Sequence, residues 1–207
     1  MVETSVGDTV RSEVERHRKK IIIFVGPEGS GKSTQGKLLS ENLGVPYFAT
    51  GDIVRNMARD DSSEMGVECR RALNEHGYVD PRLIAQIIAD RLSCEDMENG
   101  CIIDGSFRTL NEILAFEDKL RVLDIENEDI NIVYLRIPGW LSFERLTFGR
   151  KRAGDTEEGV LGRLTNHYRS LGERMSFARK RWKFVQVSAF NRSIKEIHEE
   201  IIKHLGK

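Results

Sequence analysis

The sequence lacks several features that would place the protein in a specialised class. No apolar run approaches the roughly 20 residues of a membrane-spanning helix, and the N-terminus has no apolar signal core. The net charge is −1, although 31% of the residues are charged. No overall charge excess therefore draws the chain to nucleic acid or to anionic lipid. We expect a protein that is not secreted, binds no membrane and binds no nucleic acid.

Cysteine and histidine are also too scattered to form a metal centre. The three cysteines, Cys69, Cys94 and Cys101, are odd in number and lack the paired spacing of metal ligands. The five histidines show no spacing typical of a metal site or of an acid–base pair, and we expect them at the surface. Reduced thiols in a cytoplasmic protein are the simplest interpretation.

What the sequence does contain is a regular alternation of strand and helix patterns in 207 residues. Short apolar runs predict five strands, over residues 21–25, 45–49, 101–105, 130–137 and 184–187. Helical patterns separate them, including one from about 140 to 150 and a long one from 156 to about 181. Thr50-Gly51-Asp52 is predicted to cap one further helix, and Pro81 to occupy the first position of another. This alternation predicts an α/β three-layer sandwich, with a five-stranded parallel sheet covered by helices on both faces. Residues 21–207 are predicted to form one domain, preceded by a solvated N-terminal extension, residues 1–20.

The first predicted strand leads into a glycine-rich loop, residues 26–34. Gly26, four further residues and then Gly31-Lys32-Ser33 match the spacing of a phosphate-binding loop. In such a loop the backbone N–H groups point inward, the lysine faces the outer phosphates and the serine hydroxyl ligates Mg²⁺. A glycine-rich turn alone would be an ordinary connection, but the flanking strand and the Lys-Ser pair favour nucleotide binding. The predicted nucleotide ligands are Gly26, Gly29, Ser30, Gly31, Lys32, Ser33 and Thr34.

Three further motifs follow the loop, and together they carry a family resemblance. They are Thr50-Gly51-Asp52 with Arg55, Asp104-Gly105 with Arg108-Thr109, and Arg152 with Asp155-Thr156-Glu157-Glu158. With these motifs the chain resembles the adenylate kinase-like family of nucleoside monophosphate kinases, over nearly everything from Ile21 onward. The resemblance implies ATP-dependent phosphoryl transfer with Mg²⁺ as cofactor. It also implies two mobile insertions, at about 50–79 for the monophosphate and a short lid at about 145–163 over ATP.

Phosphoryl transfer to a monophosphate depends on alignment and charge neutralisation, because the attacking oxygen is already anionic and needs no general base. Arginine suits this task, since its planar fork binds phosphate oxygens in pairs and stays charged. Residues 145–183 contain 11 Lys or Arg and four acidic residues, a local excess of positive charge. For any single arginine, the alternative is a solvated or salt-bridged helix surface.

Individual roles are implied by position in the resembling motifs. Arg55 and Arg108 would clamp the acceptor phosphate, with Thr50 near the acceptor base. The transferred phosphoryl group would be contacted by Lys32, Arg150, Arg152 and Arg163. Arg145 would stack on the ATP base. Asp104 ends a buried strand where such sheets bind ligands, so it would hold Mg²⁺ through water beside Ser33, unless it is only a turn or cap residue.

The chain departs from the family pattern at three places besides the acceptor-base position. Ser106-Phe107 replaces an aromatic residue followed by proline, and we expect the peptide bond before Phe107 to be trans, since a cis bond there costs about 3 kcal/mol. Gly154 replaces the first of two lid aspartates, the second being Asp155. The spacing after Arg145 differs by one residue from the family pattern, which bears on the assignment of Arg150.

The last departure, Glu112, bears on the acceptor base, because the adenylate kinases carry glutamine at this position. An ionised carboxylate only accepts hydrogen bonds, which suits guanine better than adenine. The alternative is that Glu112 simply points into solvent. AMP remains the favoured acceptor on family grounds, with GMP, CMP or UMP as alternatives.

Other functional classes remain open from the sequence. A kinase for a non-nucleotide alcohol would need a general base and would leave the acceptor arginines unused. A nucleotide sensor with little turnover is suggested by the altered Ser106-Phe107 segment, and a nucleic-acid binder by the basic lid. We expect a monomer whose partners are small-molecule nucleotides.

Overall fold

A parallel sheet of five strands forms the centre of the protein. The computed structural model describes residues 19–75, 77–149 and 156–206. The strands are β1 Lys20–Val25, β2 Tyr47–Ala49, β3 Gly100–Asp104, β4 Ile130–Arg136 and β5 Lys183–Ser188. The α-helices in these ranges are α1 Lys32–Leu43, α2 Thr50–Asp60, α3 Glu64–Asn74, α4 Pro81–Leu92, α5 Leu110–Val122, α6 Gly139–Glu144, α7 Glu157–Arg169, α8 Leu171–Arg181 and α9 Ile194–Leu205.

The strand order β2-β3-β1-β4-β5 confirms the predicted fold class. All pairings are parallel, and in the central register Ile23 of β1 lies between Ile103 of β3 and Ile132 of β4. The connections that follow β1 lead first to one side of the sheet and later to the other. In open α/β sheets, ligands bind beyond the carboxyl end of the strands at this kind of switch point. The glycine-rich loop follows β1 at that edge.

Helices cover both faces of the sheet, so the strands are apolar on both sides. Ile21 and Ile23 pack in a large cluster with α4, α5 and α8, whereas Ile22 and Phe24 pack on the other face with α1 and α9. Burial on both faces explains why β1 is an unbroken apolar run rather than an alternating one. None of the helices in the described ranges is long and apolar enough to cross a bilayer.

Two helical segments differ from the prediction. The long helix predicted from Thr156 is broken at Ser170, where α7 ends and α8 begins. The helix predicted from Trp140 changes after α6 into a π-helical turn, Arg145–Gly149. A π turn holds more residues than an α turn, since its hydrogen bonds run from i to i+5. The π turn begins at Arg145, where the spacing that follows differs by one residue from the family pattern.

The helix starts near the site agree only in part with the sequence prediction. Pro81 occupies the first position of α4 as predicted, and Asp80 caps that helix by accepting from the backbone N–H groups of Arg82 and Leu83. The predicted Thr50-Gly51-Asp52 cap is wrong, because α2 begins at Thr50 and its cap residue is Ala49. Asp52 lies instead in the first turn of α2.

Candidate active site

The glycine-rich loop turns tightly from β1 into α1. Gly26 and Gly31 adopt φ values of +150° and +92°, which favour glycine. A Cβ atom on Gly26 would lie 2.4 Å from the carbonyl oxygen of Leu135 in β4, so the loop approaches the neighbouring backbone closely. No side chain in the described residues caps α1. Its first N–H groups therefore point from the positive end of the helix toward the loop.

The side chain of Lys32 places its ammonium group over the loop. Its Nζ donates to the carbonyl oxygens of Gly26 and Pro27, at 3.0 and 2.9 Å. The buried Ser30 Oγ has no hydrogen-bond partner in the part of the chain that the structure describes. A concave loop with backbone donors, an ammonium group and an unused hydroxyl is suited to a phosphate chain.

Asp104, at the end of β3, lies directly beside the loop. Its Oδ2 accepts from Ser33 Oγ at 2.6 Å and from the hydroxyl of Tyr47 at 2.9 Å. Its Oδ1 is buried and has no partner among the described residues. Hard divalent cations prefer oxygen ligands, and Mg²⁺ retains several waters. The Ser33 hydroxyl and the unpartnered Asp104 oxygen therefore fit a water-rich magnesium site.

The segment after β4 braces the loop from the other side. Ser142 Oγ donates to the carbonyl of Glu28, and Arg145 Nη1 donates to the carbonyl of Gly29 at 2.8 Å. From α7, Arg163 Nε lies 3.5 Å from Glu28 Oε1. Two predicted arginines thus reach the loop, one from each flank of the predicted lid. Arg150, Arg152, Gly154 and Asp155 lie outside the described residues.

Two further predicted arginines meet at the start of α2. A Cβ atom on Gly51 would lie 3.3 Å from Arg55 Nη1 and 3.5 Å from Arg108 Nη2. Arg55 forms an ion pair with Asp52, while Arg108 Nε donates to the carbonyl of Gly105 at 3.1 Å. Both side chains thus converge over the same glycine. This pair of guanidinium groups is suited to binding one phosphate.

A cavity of about 520 Å³ opens beside Arg108 and is lined in part by Tyr78, Thr109 and Glu112. The interpretation that Glu112 points into solvent is wrong, because its side chain is 4% exposed. Oε2 accepts from the backbone N–H groups of Arg108 and Thr109, at 2.5 and 3.4 Å, in a capping box of α5. Oε1 has no partner within the described ranges. Burial raises the pKa of Glu112, and the nearby Arg108 opposes that shift.

The Ser106-Phe107 segment is ordered by contacts that proline would not make. No described peptide bond is cis, so the predicted trans bond before Phe107 is confirmed. Phe107 has φ +65°, and its buried ring stacks on Trp182 with centroids 5.4 Å apart. Ser106 Oγ lies 2.8 Å from the hydroxyl of the buried Thr50, so that hydroxyl is already engaged inside the protein.

Comparison with known proteins agrees with this geometry. The family model described as adenylate kinase matches residues 24–181. The chain belongs to the adenylate kinase family. Curated relatives include the adenylate kinase of Mycobacterium sp. (strain MCS), 34% identical over 159 residues, 72% of this chain and 86% of the relative. The adenylate kinase of Mycobacterium tuberculosis (strain H37Rv) is 30% identical over 187 residues, 90% of this chain and 99% of the relative. The protein is a nucleoside monophosphate kinase, a phosphotransferase.

Sequence reasoning about this kinase missed Arg174, Glu28 and Tyr47, which all contact site segments. For Arg174 a signal was present. It follows Leu171 by three residues and precedes Ala178 by four, so the helical period places it on the apolar face of α8. An arginine at such a position is unusual. For Tyr47 and Glu28 no sequence pattern distinguished them from ordinary strand and loop residues.

The expectation of surface histidines is wrong for His167. This side chain is partly buried on α7, and its Nε2 is enclosed without a hydrogen-bond partner in the described part of the chain. Burial, together with the positive charges of Arg174 and Lys32, lowers the pKa of His167 to about 3. His167 is therefore neutral in the folded kinase at neutral pH.

Replacing Gly26 with alanine should disable the loop. The added Cβ would clash with the Leu135 carbonyl at a strained φ, so the loop must shift. We expect ATP affinity to fall at least about tenfold, the equivalent of about 1.4 kcal/mol. Isothermal titration calorimetry measures it. Gly172→Ala is the matched control, because that position in α8 is open, lies outside the predicted lid and alanine favours helix. Equal ATP affinities for the two variants would contradict this account of the loop.

His167 should make the folded state less stable in mild acid. Below about pH 6.5, His167 is protonated in the unfolded chain. In the folded chain it stays neutral until the pH falls to about 3. The free energy of unfolding should therefore fall as the pH drops from 7 to 5, by up to about 2 kcal/mol from this group. Urea denaturation at both pH values measures this loss.

The substitution His167→Gln should remove this contribution to the pH dependence. Asn166→Gln, which replaces an exposed residue without a titratable group in the same helix, serves as the control and should keep the wild-type slope. A His167→Gln variant with an unchanged slope would refute the assignment.

Proposed function

We propose that the kinase transfers the γ-phosphoryl group of ATP to AMP and so forms two molecules of ADP. The observation that carries this proposal is the presence of two cationic groups at one edge of the sheet. One is the glycine-rich loop with Lys32, and the other is the pair Arg55 and Arg108 over Gly51. Curated relatives across most of the chain are named adenylate kinases, which favours AMP as the acceptor.

In the proposed reaction an oxygen of the AMP phosphate attacks the γ-phosphorus of ATP. The new P–O bond forms as the bond to the bridging oxygen breaks, and ADP leaves with that oxygen. The nucleophile is already anionic, so no side chain has to remove a proton. Arg55 and Arg108 hold the acceptor phosphate, while Lys32 and the loop N–H groups, including those of Gly29, neutralise the phosphates of ATP.

Ser33 and Asp104 are the residues that would hold Mg²⁺, Asp104 through water. When bound, this ion would neutralise the negative charge of the ATP phosphates in the transition state. The role of the protein is to place one hydroxyl and one carboxylate oxygen within reach of those phosphates. Tyr47 keeps the carboxylate oriented by donating to its other oxygen.

The lid assignments are part of the same proposal. Arg163 and Arg145 already lie against the loop, so both start within a short distance of the proposed ATP phosphates. We keep Arg150 and Arg152 as ligands of the transferred phosphoryl group, residues 50–79 as the acceptor insertion and 145–163 as the lid. A cytoplasmic monomer remains our expectation.

GMP is the second candidate acceptor, and Glu112 is the observation that favours it. Its Oε1 is buried and has no hydrogen-bond partner among the described residues. The Glu112 residue also lines the cavity of about 520 Å³ beside Arg108. An ionised carboxylate complements the two donors of guanine. A protonated carboxyl group both donates and accepts, which complements adenine. Burial disfavours the ionised form of Glu112 and raises its pKa, while Arg108 and the backbone N–H groups of Arg108 and Thr109 oppose that shift.

Substitution of Lys32 by methionine should abolish activity. The variant loses the cation of the loop, and we expect kcat to fall at least about 100-fold, the scale of removing one transition-state donor. A coupled assay of ADP formation measures the rate. Lys195→Met, at a position with 85% side-chain exposure, should leave it unchanged. Tight ATP binding by the wild type with no turnover on any monophosphate would instead indicate a nucleotide sensor.

The substitution Glu112→Gln should separate the two candidate acceptors. Glutamine also suits the third position of a capping box, so α5 should keep its start. We expect AMP activity to stay within about threefold, because glutamine and a protonated carboxyl group offer the same donor and acceptor. GMP activity should fall about tenfold, one lost hydrogen bond. Initial rates with AMP, GMP, CMP, UMP and TMP measure this. Unchanged GMP activity would show that Glu112 does not contact the base.

A further inference from the structure

Arg174 is a fully buried arginine that connects the break between α7 and α8 to the acceptor loop. It is 1% exposed, although arginine is almost never fully buried unless paired. Nη1 donates to the carbonyl of Phe107 and Nη2 to the carbonyl of His167, both at 2.5 Å. Nε donates to Ser170 Oγ at 3.0 Å. No carboxylate in the described ranges lies within ion-pair distance of it.

Packing alone does not explain an arginine here. Burial of the cation is unfavourable and lowers the pKa of Arg174, and the Glu112 carboxylate, which lies beyond ion-pair distance, only partly offsets it. Leu171, Met175 and Ala178 of the same helix pack into the core, so an apolar side chain would suit this face. What an apolar side chain cannot do is hold two carbonyl groups from different segments in one planar fork.

The two carbonyl groups are ones that local structure leaves available. His167 is in the last turn of α7, where carbonyl groups lack partners within the helix. Phe107 has a left-handed backbone in the loop between β3 and α5, a conformation that costs free energy for a bulky residue. Such a conformation persists only where surrounding contacts hold it.

The Phe107–Arg108 peptide unit is held at both of its polar groups. Its carbonyl oxygen accepts from Arg174, and its N–H donates to Glu112 Oε2. Because a peptide unit is planar, these two bonds on opposite sides fix its orientation. They thereby fix the direction in which Arg108 leaves the backbone, toward Gly51 and Arg55.

We propose that Arg174 is a positioning residue, which holds the Arg108 guanidinium at the acceptor phosphate by clamping the Phe107–Arg108 peptide. The hydrogen-bonded clamp supplies the rigidity that a proline ring at position 107 would otherwise give. This inference rests on the proposed role of Arg108 in binding the acceptor phosphate.

The test is the substitution Arg174→Met, which keeps an unbranched apolar side chain and removes the guanidinium group that binds the two carbonyls. We expect KM for AMP to rise about tenfold, since Arg108 is no longer held in place, while KM for ATP stays within about twofold. Arg174→Lys should give an intermediate KM for AMP, because one ammonium group cannot hold both carbonyls in a fork. Arg169→Met replaces an exposed arginine at the end of α7 and should leave both constants unchanged.

A double-mutant cycle with Arg108→Ala shows whether Arg174 acts through Arg108. Arg108→Ala alone should raise KM for AMP, and adding Arg174→Met should raise it by less than about twofold more. A purely structural role would lower the melting temperature and the active fraction, leave KM for AMP unchanged and overturn the inference. If Arg174→Met does not fold, Arg174→Lys in the same cycle decides.

The cycle also separates this inference from the proposal beneath it. If Arg108→Ala raises KM for AMP and neither Arg174 variant does, the inference fails and the proposed role of Arg108 stands. If Arg108→Ala leaves KM for AMP unchanged, the proposed role of Arg108 fails and the inference falls with it.

Discussion

Repulsion between two polyanionic substrates is the constraint that this kinase must overcome. Two like unit charges 4 Å apart repel by about 1 kcal/mol in water and by about 4 kcal/mol near a protein surface. A site that excludes water therefore strengthens the repulsion just where the reacting groups must meet. The chain has a net charge of only −1, so the countercharge has to come from local placement of cations. The fold of the sheet determines that placement.

Parallel strands end at the same edge, and this brings together cations that are far apart in sequence. Lys32 follows β1 and Arg108 follows the neighbouring β3, while Arg55 comes from the helix after β2. The sequence could predict this much because strands, loop and motif spacing are local properties. Each of the strands β1 to β5 was located within one or two residues by its short apolar run. The strand order and the register were not predicted and come from the structure.

What the sequence could not predict depends on contacts between distant segments. The break at Ser170 contains no proline, although Gly172 lies two residues beyond it. It coincides with Arg174, which bonds the His167 carbonyl and reaches across to Phe107. The partial burial of His167 was missed for the same reason. A helical pattern does not show which distant groups α7 packs against. The π turn was predictable only in part. The sequence showed that the spacing after Arg145 differs from the family pattern, but it did not show that a π turn forms there.

The clamp at Phe107 also connects the loop that carries Arg108 to helix α7. A proline ring would stiffen the acceptor loop through covalent geometry alone, with no reference to any other segment. Arg174 stiffens it through bonds that also hold the last turn of α7, and α7 carries Arg163 to the glycine-rich loop. Arg108, the proposed acceptor arginine, and Arg163, assigned to ATP in the same proposal, therefore share one buried support. A displacement of α7 would shift the Arg174 guanidinium group and so loosen Arg108, which would link the geometries of the two proposed substrate sites.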